Sequence, residues 1–345
     1  MKKLTAIFCA FAITAGLIAG CGTNEDNNKG AVKSEQQAQE QVQAIDLDIA
    51  ALKGPTAMGL VKFMDDAEQG KLTDNNYNFT IAAAADEISA KINSEDGFDI
   101  AAVPANLASV LYNNTQGKID VIAINTLGVL YIVENGQNIS SVEDMKGKTI
   151  YASGKGLTPE YTLNYILSEN GIDPVTDVTI EWKSEHSECL SALMANENAI
   201  ALLPQPFVTT AQTKSDKIRV ALDLNEEWDK LEADKENPSS LITGVVVAQK
   251  SVIDENPQAI SAFLDHYKES VQFTNENVEE AAKLVGKFDI VPEAVAVKAI
   301  PECNITFIEG DEMKEKLSGY LSVLNEQNPK TIGGKMPADD FYYSR

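Results

Sequence analysis

Residues Asp46 to Gly70, DLDIAALKGPTAMGLVKFMDDAEQG, read as strand, tight turn and helix. Ile45, Leu47, Ile49 and Ala51 alternate with polar or small residues, the two-residue period of a half-buried strand. Lys53-Gly54-Pro55-Thr56 then breaks the alternation. Met58, Val61 and Met64 recur at helical spacing until Gly70 stops the run. Pro55 suits the first helical position, where its missing N–H is not needed. Gly54 would let a ligand approach the backbone closely. The N–H groups of Thr56, Ala57 and Met58 are then expected to point out of the helix start, as donors for an anion or a carbonyl.

Around this unit lies a chain of 345 residues with 44% hydrophobic content, enough for about two domains and a sizeable core. The net charge of −24 argues against nucleic acid as a partner, because a phosphate backbone would be repelled. The basic residues include only two arginines, Arg219 and Arg345. A bidentate arginine clamp on a carboxylate, sulfonate or phosphate is therefore nearly excluded. An anion would have to be held by backbone N–H groups, hydroxyls or lysine.

The first 20 residues have the features of a targeting segment. Lys2 and Lys3 form a basic start, and Leu4 to Ala19 is apolar and uncharged, too short to span a bilayer comfortably. The segment ends Leu17-Ile18-Ala19-Gly20-Cys21, which resembles a bacterial lipobox. That resemblance implies cleavage before Cys21 and a diacylglyceryl group on its thiol, which anchors the protein to the membrane. Residues 21–44 are rich in Asn, Gln, Glu, Lys and Ser, too polar to fold, and read as a flexible tether.

From residue 45 onward, short apolar runs alternate with helical patterns, the signature of an α/β fold built on mostly parallel sheets. Ligands of such sheets sit beyond the C-terminal ends of the strands. In the first half those ends are Lys53–Met58, Ala84–Asp86, Pro104-Ala105-Asn106 and Asn125-Thr126. Leu127 to Val133, LGVLYIV, follows with almost no turn and reads as a strand leaving a first lobe. A second lobe then repeats the opening device. Thr149 to Ala152 is a strand, Ser153-Gly154-Lys155-Gly156 a glycine-rich turn, and Thr158-Pro159-Glu160 a helix start. Thr158 is expected to be the N-cap and Pro159 the first helical residue. Pro204-Gln205-Pro206 should form a rigid extended turn, and Glu226 to Asn237 a surface loop or helix. Leu241 to Ala248, LITGVVVA, returns to the first lobe. The expected lobes are thus 45–127 with 241–345, and 128–240.

Two lobes joined by two crossing strands resemble a type II periplasmic-binding-protein, or Venus-flytrap, fold. The segments ALKGPTAMGLVK, DIAAVPANLAS, LGVLYIVENG, GLTPEYTLNYIL, ALLPQPFVT and PKTIGGKMPADDFYY resemble the nitrate/sulfonate/taurine-type ABC transporter substrate-binding lipoproteins. That family also contains binders of thiamine pyrimidine precursors. It usually carries a glutamate where this chain has Gln205, a departure that weighs against a cationic solute there. The resemblance implies a ligand between the lobes. Gly54, Pro55, Thr56, Ala57, Met58, Pro104, Ala105 and Asn106 would meet it from one side, with Asn125 and Thr126 near the floor. Gly154, Thr158 and Pro159 would face them, Gln205 would border the cleft, and Trp182 is a candidate stacking surface. A tryptophan at position 56 is expected to abolish binding and leave the fold intact.

Other constellations point to less. His186 lies in Glu185-His186-Ser187-Glu188-Cys189, but helical spacing spreads these side chains over several faces, so no metal is expected. His266 reads as structural. Cys189 and Cys303 fall in different lobes and read as buried free thiols. No nucleophile elbow or Ser/His/Asp order appears, so neither catalysis nor a cofactor is expected. The reading is a monomeric, lipid-anchored, extracytoplasmic receptor that captures a small neutral or weakly anionic solute and delivers it to an ABC permease and its ATPase. The alternatives are a sensing or partner-binding lipoprotein and a thiamine-biosynthesis-type enzyme on the same fold.

Overall fold

β1 (Asp46–Leu52) sits between two parallel neighbours, which pair its backbone groups on both edges, while its apolar side chains from Leu47 to Ala51 are buried on the faces of the sheet. The computed structural model describes residues 44–345 except 93, 95, 96, 236 and 237. The apolar leader, the tether and Cys21 lie outside the described residues.

After β1 come α1 (Pro55–Met58), α2 (Val61–Glu68), β2 (Asn76–Ala82), α3 (Ala85–Lys91), β3 (Ile100–Pro104), α4 (Ala105–Thr115) and β4 (Ile119–Leu127). The middle of the chain holds β5 (Leu130–Asn135), β6 (Thr149–Ala152), α5 (Thr158–Glu169), β7 (Thr179–Trp182), α6 (His186–Ala195), β8 (Ile200–Pro204), α7 (Phe207–Lys214), β9 (Ile218–Asp223) and α8 (Leu224–Glu232). The last part holds β10 (Ile242–Gln249), α9 (Lys250–Glu255), α10 (Pro257–Glu276), α11 (Val278–Lys287), α12 (Glu293–Ala299), β11 (Ile305–Ile308) and α13 (Gly310–Gln327).

The strands form two sheets, ordered β11-β4-β10-β3-β1-β2 and β7-β6-β8-β5-β9. Both are mixed: most strands of each share one direction, as the alternation of strands and helices suggests, and the crossing strands β10 and β5 run against it. β1 runs parallel to β2 and β3, and β6 parallel to β7 and β8. β10 lies antiparallel to β3 and β4, and β5 antiparallel to β8 and β9. The reason is the crossing itself: a strand that has just arrived from the other sheet enters against the local direction. The first crossing is short, Gly128-Val129 between β4 and β5. Leu127 N–H donates to Asn304 O at 3.1 Å and Gln205 N–H to Val129 O at 3.1 Å, so the link is tied to both sheets.

Apolar packing continues across the two sheets. One buried cluster fills a face of the first sheet with Ile49, Phe63, Phe263, Tyr267 and Val285. A smaller one sits beneath α6 and α7 with Val133, Leu193, Leu203 and Val208. The third runs from Val103 and Leu324 through Tyr320 to Trp228 and Leu163 of the second sheet's helices. Its ring contacts, Tyr320 to Trp228 at 5.5 Å and Trp228 to Tyr165 at 4.5 Å, bridge α13 to α8 and α5. Each such side chain, fully buried, stabilises by roughly 2 kcal/mol. The acidic stretch that begins at Glu226 is helix as far as Glu232, the second of the two forms expected of it, but not wholly at the surface: α8 buries Trp228 completely and Glu232 almost so. Glu232 takes Ser239 N–H at 3.0 Å and Ser239 Oγ–H at 2.9 Å, which pins the return crossing.

Candidate functional site between the two sheets

The opening helix is shorter than its sequence pattern. α1 is one turn, and Gly59-Leu60 separates it from α2. A Cβ on Gly59 would fall 3.1 Å from both Ile305 and Val271 side chains, so α10 and β11 press on the chain there. Gly54 carries φ 130° and Pro55 opens the turn, as read. The donors behave differently from the reading. Ala57 and Met58 N–H groups both donate to Gly54 O, at 3.0 and 3.1 Å, and are spent locally. Ala57 and Met58 themselves are fully buried.

Thr56, Asn125 and Thr126 do come together, under β10. Thr56 Oγ–H donates to Leu52 O at 2.5 Å, and Thr126 Oγ–H to Asn125 Oδ1 at 3.1 Å. A Cβ on Gly244 would fall 2.5 Å from Asn125 Oδ1 and 2.7 Å from Thr56 Cγ2. Asn125 and Thr126 belong to β4 and are wholly enclosed, with Asn125 Nδ2 lacking a partner among the described residues. Thr56 is thus packed tightly, and a tryptophan there would break the first sheet's packing instead of leaving the fold intact.

Asn106, at the start of α4 after Pro104 and Ala105, reaches the other lobe. Its Nδ2 donates to Gly156 O at 3.3 Å and to Thr331 O at 3.1 Å, and its Oδ1 accepts from Thr158 Oγ–H at 3.4 Å. The start of α4 and the second lobe's glycine-proline helix start therefore meet through one buried amide, and the Gly54-Pro55 start takes no part in that contact. Thr158 is not the N-cap. That position falls to Leu157, with Pro159 second in the helix. Glu160 turns back to accept Gly156 N–H at 2.6 Å, and the threonine hydroxyl is released toward Asn106. Gly154, at φ 79°, leaves only 2.9 Å between a would-be Cβ and Pro159.

Beside this seam, Ser153 Oγ lies 2.5 Å from His186 Nδ1, and the imidazole tilts against Phe207 with 5.1 Å between ring centres. Burial lowers the His186 pKa to about 4, so the ring is neutral near pH 7. Trp182 ends the edge strand β7, partly buried against the core. No group of three or more His, Cys, Asp or Glu that could hold a metal is found among the described residues. Cys189 and Cys303 are buried and free, and burial raises both thiol pKa values. Both arginines are engaged in protein contacts: Arg219 pairs with buried Glu134, and Arg345 with Glu309 and Asp265.

Gln205 lies elsewhere along the seam. It does not sit in an extended turn, because the Gln205–Pro206 peptide is cis and α7 begins at once. Its Oε1 accepts Thr209 N–H at 3.2 Å and Thr209 Oγ–H at 2.9 Å. The residue lines a groove of about 470 Å³ with Tyr131, Thr209 and Gln212 of the second lobe and Lys298 and Glu302 of the first. Nothing local in the sequence brings Lys298 or Glu302 to Gln205, since only the return crossing does so.

The class that this architecture defines is the two-lobed type II binding-protein fold. The family model described as NMT1/THI5 like matches residues 118–281, from the start of β4 into α11. A protein of Brucella abortus (strain 2308) named as a binding protein is 26% identical over 184 residues, 53% of this chain and 54% of the relative. The chain spans about half the length of the curated relatives it matches. An ABC transporter structure from Parabacteroides distasonis superposes with a TM-score of 0.70 at 22% identity, covering 88% of this chain and 99% of that one. The periplasmic aliphatic sulphonate binding protein SsuA of Escherichia coli superposes with a TM-score of 0.67 at 16% identity, covering 85% and 96%. At these identities the likeness is one of fold.

Proposed function

We propose that this protein is the solute-binding component of an ABC importer. A lipid on Cys21 would hold it at the outer face of the membrane, and a permease with its ATPase would receive the solute. It acts as a receptor and not an enzyme, and the solute is small and neutral or weakly anionic. The observation that carries the reading is the meeting of the α4 and α5 starts, one from each lobe, through Asn106, Gly156 and Thr158. A solute held between such lobes gains contacts only when they close, and that differential affinity shifts the open–closed equilibrium. The names of the two structural neighbours, an ABC transporter and a periplasmic sulphonate binding protein, support the same reading. So does the engagement of both arginines within the protein, which leaves hydroxyls, amides and lysine to meet a solute.

The test is a thermal-shift screen against taurine, alkanesulfonates, nitrate, hydroxymethylpyrimidine, bicarbonate and small amino acids, with small-angle scattering on any hit. One solute should raise the melting temperature by several degrees, since a ligand at 100 times its Kd adds about 2.7 kcal/mol, and should shrink the particle. A protein that responds to none of them is not such a receptor.

A further inference from the structure

The groove between α7 and α12 has a charge pattern that the solute-receptor reading leaves unused. Gln205 is 4% exposed and Tyr131 7%, yet both line it. Thr209 donates twice to Gln205 Oε1, which fixes the amide's orientation and leaves the Nε2 donors without a protein acceptor among the described residues. Tyr131 O–H has only Glu302 O, at 3.4 Å, the outer edge of hydrogen-bonding distance. Two largely buried side chains thus turn polar groups with bonding capacity to spare toward the groove, where a solute can take the place of water.

The opposite wall comes from the first lobe. Lys298 and Glu302 stand four residues apart at the end of α12 and the single turn that follows. Both are exposed, and neither forms an ion pair among the described residues. One wall offers fixed amide and hydroxyl donors, and the other offers an ammonium and a carboxylate. A simple anion would meet the field of a protein with net charge −24, whereas a molecule with no net charge would not. We propose, resting on the solute-receptor reading, that this groove holds a small zwitterion of the amino-carboxylate type. Its carboxylate faces Lys298 and the Gln205 amide, and its ammonium faces Glu302. Because the two walls belong to different lobes, such a ligand favours the closed arrangement.

The probes are glycine, β-alanine, γ-aminobutyrate and glycine betaine, with propionate and propylamine as singly charged controls, titrated calorimetrically into the full chain. At least one zwitterion should bind, and more tightly than either control by about tenfold, the worth of one charge-assisted hydrogen bond. Lys298→Ala and Glu302→Gln, both at exposed positions that leave the core untouched, should each weaken it by about tenfold, and Gln205→Ala similarly. Equal affinity for propionate, or unchanged affinity in Lys298→Ala and Glu302→Gln, overturns the proposal. If no zwitterion binds but nitrate, a sulfonate or a pyrimidine does, the groove assignment falls while the receptor reading stands. If no solute of any class binds, both fall.

Discussion

The two lobes begin with the same local grammar and do different things with it. Gly54-Pro55-Thr56 and Gly156-Leu157-Thr158-Pro159 both place a glycine of positive φ before a proline-started helix. In the first lobe the helix lasts one turn, its early N–H groups fold back on Gly54 O, and Ala57 and Met58 sink into the core. In the second the helix runs from Thr158 to Glu169, and Thr158 points its hydroxyl at Asn106 of the first. The difference lies in what packs on each start. α10 and β11 press on Gly59, whereas α5 has room to continue. A motif fixes how the chain enters a helix, and its neighbours decide whether that entry faces a ligand, a partner lobe or the core.

The comparison breaks most visibly at Gly244. The first lobe's start is wedged under β10, with Thr56 and Asn125 both inside van der Waals distance of any Cβ at that position. Gly244→Val should therefore destabilise by about 3 kcal/mol through overpacking, read as a lower urea midpoint at unchanged slope. A Gly244→Val protein as stable as the parent would mean that Thr56 is not confined.

The lobes also oppose one another in pH. In the first, Asp120 is almost fully buried with Lys250 at 3.4 Å, and desolvation, reinforced by Asp340 and Asp254, raises its pKa to about 6. The folded state keeps a proton that the unfolded chain releases near 3.8. Its contribution is complete below about pH 4 and gone above about pH 6, so stability falls as pH rises. In the second, His186 stays neutral down to about pH 4, while the unfolded chain protonates near 6.5. That contribution is complete above about pH 6.5 and lost as pH falls toward 4. Each is worth about 3 kcal/mol at most, and in the parent protein they largely cancel. Asp120→Asn should make stability climb with pH across this window, and His186→Asn should make it decline. Parallel profiles for the two variants in urea melts at pH 4.5 and 7 would reject the opposition.

Much of this was legible in the sequence, and the failures have a common cause. The strand at Thr149–Ala152 and the crossings near 128 and 241 follow from period, glycine and proline, which act locally. Strand direction was not legible, because β10 is antiparallel only by virtue of where it returns from. Nor was the enclosure of Asn125 and Thr126, whose polar character reads as a strand end facing the cleft floor until β10 is laid beside β4. Trp228 hides in an acidic run because one helical face of that run is covered by Tyr165 and Tyr320. His186 shows no signal of its contact with Ser153, 33 residues away.

The smallest expected effect is the most discriminating for the paired starts. Were Thr158 the N-cap, removing its hydroxyl would cost the helix about 1 kcal/mol. In the structure Leu157 holds that position without a side-chain cap, and the hydroxyl's hydrogen bond is the 3.4 Å one to Asn106. Thr158→Val keeps the β-branched shape and removes only that long bond, so the loss should be about 0.5 kcal/mol or less. The change should appear instead in the equilibrium between open and closed lobes, because the lost contact crosses the seam. Scattering on the ligand-free variant should show a slightly larger particle than the parent. A full 1 kcal/mol loss with unchanged dimensions would return Thr158 to the role of a helix cap and leave Asn106 holding the lobes through Gly156 alone.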